Sequence, residues 1–202
     1  MMSSLFIMGL SSALWILVGY SLSFSGDHGH IIGDFTNAFL RGIGMNDLSQ
    51  YSETIPALVF VGFSMMFAII TPALITGSVA GRMRFKALFI FILLWLFVVY
   101  YPLAHMVWGK GGFLGEVLGS VDFAGGNVVH ISSGVSGLVL SLLLGSRRGY
   151  KKQAYATHNI PFIILGATIL WFGWFGFNAG SALAANGLAA HAFMTTGTSA
   201  AF

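Results

Sequence analysis

The chain has 202 residues, 56% of them apolar and only 7% charged, with a formal net charge of +3 and no cysteine. Soluble domains carry roughly 25% charged residues, so most of this chain meets lipid or other apolar helices rather than water. Disulfides and thiolate metal sites are excluded, and the basic residues sit in short loops between apolar runs, which argues against a nucleic-acid surface.

The first apolar run covers about 5–24; it is too long for a signal-peptide core and has no basic leader. A polar segment rich in Gly, Asp and His follows over 25–53. A second span is expected over 54–81, bent at Pro72. The third, over 85–103, returns the chain and leads into a Gly-rich segment, 105–121, that carries His105 and Trp108. Further spans are expected over 122–145 and 159–180. A sixth, over 187–202, stops short of the roughly 20 residues that a crossing needs. Backbone ends left unpaired in hydrocarbon are costly, so the sequence reads as part of a longer chain.

Charge sets the orientation. Arg82, Arg84 and Lys86 form one basic cluster, and Arg147, Arg148, Lys151 and Lys152 another. All the acids (Asp27, Asp34, Asp47, Glu53, Glu116, Asp122) lie in the other loops, and only Arg41 and Lys110 break the partition. Lys and Arg stay cytoplasmic, so the basic loops face inward and the acidic loops outward. The expected fold is all-α: one polytopic helical transmembrane domain, incomplete as it stands.

The most informative stretch runs Asp122-Phe-Ala-Gly-Gly-Asn-Val-Val-His130-Ile-Ser-Ser-Gly134-Val-Ser-Gly137. It sets a titratable ring about two turns into a membrane-length run, where such a group is expensive unless it faces a cavity, a partner or a passing ligand. The small residues around it let neighbouring helices approach closely. Asp122 is read first as a cap and dipole partner for this helix, and second as a source of cation attraction. Phe63 and Phe67, four apart, share a helical face, as do Phe177 and Ser181.

The run from Asp122 to Arg147 resembles the characteristic segment of the ammonium transporter family. So do Gly77-Ser-Val-Ala-Gly-Arg-Met-Arg-Phe-Lys86, Ala104-His105-Met-Val-Trp108-Gly109 and Trp174-Phe-Gly-Phe177-Asn-Ala-Gly-Ser181. The likeness covers nearly all of this chain and implies that it starts at the second of about eleven spans and ends within the seventh. It implies an outer recruitment site for ammonium or methylammonium made by Phe67, Trp108 and Ser181. Below that site a phenylalanine gate of Phe67 and Phe177 would stack, with Phe63 beside it. His130 would then act as proton relay in a narrow apolar lumen; the histidine that the family pairs with it is not in this sequence. The resemblance further implies a multi-pass protein of the cytoplasmic membrane, a homotrimer, and a PII-type regulator on the cytoplasmic face. No cofactor or metal is expected.

Other readings stay open beside it. A sensor would keep the fold and add a signalling domain, a Rhesus-type gas channel would lack an aromatic such as Trp108, and a helical scaffold would need no pore. A membrane enzyme with His130 as base lacks a carboxylate or second ligand at the same depth. His28 and His30 are expected to be solvated, His105 to hold the mouth loop by a hydrogen bond, His158 to lie in a loop, and His191 to be structural. Gly109-Lys110-Gly111-Gly112 lacks the spacing of a phosphate-binding loop, so coupling to ATP is not supported.

Overall fold

Long apolar runs in which each backbone N–H finds its own helical acceptor dominate the molecule, and no strand occurs among the described residues. The computed structural model describes residues 2–152, 154 and 157–202. Six helices follow in order: α1 (Met2–Phe24), α2 (Ala57–Val79), α3 (85–108), α4 (Gly126–Leu144), α5 (Ile160–Gly180) and α6 (Gly187–Ala201). Five helical runs, beginning at Met2, Ala57, Phe85, Gly126 and Ile160, are long and apolar enough to cross a membrane. Wider π-helical turns interrupt α1 at Trp15–Gly19 and α3 at Leu96–Tyr100, and open α4 at Gly126–Ile131. Such turns are rare and gather at functional sites.

The chain packs as two compact units. The first joins Met1–Asp47 to Pro56–Arg147, and the second joins Leu48–Ile55 to Arg148–Phe202. In the first unit α1 and α4 lie along α2, and the second half of α3 lies against the end of α1. Its centre is Trp15, about 1% exposed, whose ring meets those of Tyr20, Phe24, Tyr100 and Tyr101 at 6.1–6.4 Å. A buried indole N–H needs a partner, and Trp15 Nε1 donates to the Val61 carbonyl at 3.1 Å. Trp95 Nε1 donates to Ser136 Oγ at 2.9 Å, and Ser136 Oγ to the Ser132 carbonyl at 2.7 Å, tying α3 to α4. At the far end the Arg82 guanidinium donates to the carbonyls of Ser78, Ser141 and Gly145, so one cation closes the C-termini of α2 and α4.

In the second unit α5 and α6 are paired. Asn178 Nδ2 donates to Thr196 Oγ1 at 3.0 Å, and the rings of Phe175 and Phe193 stack at 4.5 Å. Asn159 and Asn186 cap the two helices, accepting from the backbone N–H of Phe162 and Ala189. Ser52 Oγ donates to the Leu183 carbonyl at 2.8 Å, which holds Leu48–Ile55 against the turn between the two helices.

Two boundaries differ from the sequence reading. Helix α3 continues to Trp108 instead of ending near Leu103. Pro102 follows directly on the π-helical turn at Leu96–Tyr100, and the glycines that end the helix begin at Gly109. Helix α4 starts at Gly126 rather than Asp122. Helix α2 carries Pro72 inside it, and Thr71 Oγ1 donates to the Phe67 carbonyl. Because Trp15 fills the centre of the first unit and also holds a hydrogen bond, Trp15→Ala should lower stability by about 3–5 kcal/mol. Unfolding in detergent checks this, with Trp15→Phe expected to lose less.

Candidate functional site

Helix α4 begins at a carboxylate. Asp122 Oδ1 accepts from the N–H groups of Gly125 (2.6 Å) and Gly126 (2.7 Å), and Oδ2 from Asn127 (2.8 Å) and Val128 (3.0 Å). A helix leaves its first N–H groups without intrahelical partners, and a single acid standing ahead of the helix satisfies four of them through charge-assisted bonds. The chain turns back to allow this at Gly125, whose φ is +96°. A Cβ there would lie 2.7 Å from Val129 Cγ2. The geometry is that of a helix cap.

An aromatic cluster stands beside the cap. Phe63 and Phe67 meet edge to face at 5.0 Å, and Phe67 meets Trp108 edge to face at 5.4 Å. Phe67 is buried, while Phe63 and Trp108 are half-buried. Trp108 Nε1 donates to the backbone carbonyl of Asp122 at 2.9 Å. Residue 122 therefore serves both sides, its carboxylate capping α4 and its carbonyl fixing the indole.

His130 lies in the π-helical opening of α4, its N–H donating to the Gly125 carbonyl at 3.0 Å. Val128 and Val129 are fully buried, but His130 is exposed, on a side of α4 shared with Ile131, Gly134, Val135 and Leu138. Val128 and Val129 take the buried side of this turn. Phe177 and Ser181 belong to the second unit, near the end of α5. Ser181 Oγ donates to the Phe177 carbonyl at 2.9 Å and keeps its lone pairs available, and the Phe177 ring meets Trp174 at 5.3 Å. Among the described residues no group of three or more His, Asp or Glu is placed to hold a metal ion.

One set of contacts escapes a residue-by-residue reading. His105 is fully buried, with Nδ1 3.2 Å from the Ser23 carbonyl and Nε2 3.1 Å from Asp27 Oδ1. Asp27 Oδ1 also accepts from the His30 N–H at 2.9 Å. His30 is not merely solvated, since its Nδ1 lies 2.6 Å from the Gly111 carbonyl. The sequence led to a hydrogen bond from His105 to the mouth loop but not to its partner. Asp27, 78 residues away from His105, carries no local mark. The hydrogen bond from His105 holds the Asp27 carboxyl below the ordinary aspartate range, against desolvation, with further help from the His30 N–H.

The ammonium transporter family model matches residues 1–202. An ammonium transporter of Bacillus subtilis is 50% identical, over 99% of this chain and 48% of its own length. Ammonium transporter Amt1 of Archaeoglobus fulgidus is 46% identical, over 93% of this chain and 45% of its own length. The crystal structure of Saccharomyces cerevisiae Mep2 superposes with a TM-score of 0.77 at 36% identity, covering 89% of this chain and 41% of that one. A structure described as a sensor Amt protein superposes with a TM-score of 0.84 at 28% identity, covering 99% of this chain and 50% of that one. The chain belongs to the ammonium transporter family, a family of channel-like membrane proteins rather than enzymes. Its apolar helices make it a multi-pass plasma-membrane protein, and it spans about half the length of the curated relatives it matches.

Two outcomes follow from the caps. Asp122→Ala should cost at least about 2 kcal/mol, since several helix donors lose their acceptor, and Asp122→Asn should cost less; equal losses in detergent unfolding would contradict the cap. The lowered Asp27 carboxyl contributes stability fully above pH ~4, and that contribution is lost as acid carries the group through its lowered value. A carboxyl-carbon NMR titration in micelles should accordingly give Asp27 a value below ~3.9.

Proposed function

We propose that this chain forms part of a pore that moves ammonium or methylammonium across the plasma membrane. The observation that carries this reading is the edge-to-face series Phe63, Phe67, Trp108, tied through Asp122 to the helix that bears His130. An aromatic face attracts a small cation by ~0.5–2 kcal/mol, so Trp108 and Phe67 offer the recruiting face, and the family resemblance assigns Ser181 the part of N–H acceptor. The family resemblance assigns Phe63, Phe67 and Phe177 to the gate, where phenyl rings would offer a hydrated ion no hydrogen bonds.

A bare cation in an apolar conduit is costly, which favours splitting the cargo. The ammonium N–H proton passes to an imidazole nitrogen, leaving neutral ammonia to cross, and His130 is the relay that this chain supplies. Family membership supports a homotrimer and a PII-type regulator on the basic cytoplasmic loops as partners. A second reading, an ammonium sensor carrying a signalling domain, is favoured by the likeness to the sensor Amt structure across nearly the whole chain.

Methylammonium uptake and current in liposomes containing the natural protein test both readings. His130→Ala should change selectivity or abolish current; unchanged values for both would remove the relay. Trp108→Leu should reduce uptake at dilute substrate more than at saturation, and equal loss at both would contradict recruitment. A protein that binds ammonium yet supports no uptake would instead favour the sensor.

A further inference from the structure

The buried imidazole of His105 and the glycines around 109–112 have no part in that mechanism, yet they bracket Trp108. The end of α1 and the segment that follows it grip this stretch on both sides. One turn before Trp108, His105 meets the Ser23 carbonyl at 3.2 Å and Asp27 Oδ1 at 3.1 Å. Three residues after Trp108, the His30 ring meets the Gly111 carbonyl at 2.6 Å, and the N–H of Phe113 donates to the His30 carbonyl at 2.9 Å. Asp27 links the two grips, because the carboxylate oxygen facing His105 also accepts from the His30 N–H. His30 is held at a φ of +64°, which a residue with a side chain adopts when its surroundings enforce it. Gly109 completes the fit: a Cβ there would stand 2.5 Å from His105 Nδ1 and 2.9 Å from the Ser23 carbonyl.

We propose that Asp27 and His105, helped by His30, are positioning residues for Trp108, an inference that rests on the recruiting role given to Trp108 above. The indole hangs from the last residue of α3, where helix ends fray. Its bond to the Asp122 carbonyl and its edge on Phe67 orient the ring only while its Cα stays in place. Asp27 and His30 supply that fixity from outside the helix, Asp27 through His105, as a supporting layer does for any preorganised binding group. Release of the clamp moves the indole and weakens capture of dilute cation, while transfer at saturation is left alone. Attraction of cations by the Asp27 charge itself is a different mechanism, and the isosteric amide separates the two. Asparagine keeps an oxygen for His105 and His30 but carries no charge.

The test uses the natural protein in liposomes, labelled with 5-fluorotryptophan and with the Trp108 resonance assigned by its loss in Trp108→Leu. Asp27→Ala should raise the KM for methylammonium about tenfold with kcat within about twofold, and should shift or broaden the Trp108 fluorine resonance. Asp27→Asn should restore most of both. An unmoved Trp108 resonance in Asp27→Ala would overturn the clamp, and so would an Asp27→Asn variant as impaired as the alanine one. If Asp27→Ala does not fold, His30→Ala removes the ring contact to Gly111 from an exposed side chain. It should shift the same resonance, and an unmoved signal again overturns the proposal. Should Trp108→Leu leave KM unchanged, the recruiting role fails by itself, while the fluorine measurement still judges the clamp.

Discussion

A helix that enters an apolar medium must hide the N–H groups of its first turn, and here one carboxylate does so. Asp122 reaches four consecutive donors across the Gly125 turn, while its backbone carbonyl receives the indole of Trp108. Removal of that acid would expose donors where little water is available to replace it. The start of α4 and the orientation of the indole therefore share one anchor. His130, two turns further on, is set at a fixed height relative to the aromatic cluster by the same anchor.

Around this anchor, a few polar contacts join elements that are distant in the chain. Trp15 reaches Val61, Trp95 reaches Ser136, Arg82 reaches the end of α4, and His105 reaches Asp27. Between lipid-soluble helices, apolar contact alone discriminates weakly, since a lipid tail is as good a neighbour as a leucine. These few directional bonds select one register among many that would bury similar area. The π-helical turns at Trp15–Gly19, Leu96–Tyr100 and Gly126–Ile131 lie at the same places, beside Trp15, Tyr100 and His130.

The helices were legible because membrane length and hydropathy are local properties. The run that became α4 announced itself through Asp122 and His130, and the Phe63–Phe67 contact through a spacing of four. The third helix runs to Trp108 rather than ending near Leu103: Pro102 does not stop it there, and only the chain around a proline decides whether a helix continues past it. The side of α4 on which His130 lies was not legible either. Val128 and Val129 compete for the buried side, and the outcome depends on which neighbouring helices cover it.

What the sequence determined by itself was the kind of molecule: all-helical, membrane-embedded, oriented by its basic loops, with a family resemblance concentrated in segments around Trp108, His130 and Phe177. Those features rest on composition and on residues close together in the chain. Only the tertiary structure decided that Asp27 meets His105, that Trp108 closes on Asp122, and that residues 48–55 join the turn at Leu183. Hydrogen bonds between elements that are distant in sequence depend on how helices cross and where loops return. No periodicity in the chain encodes either.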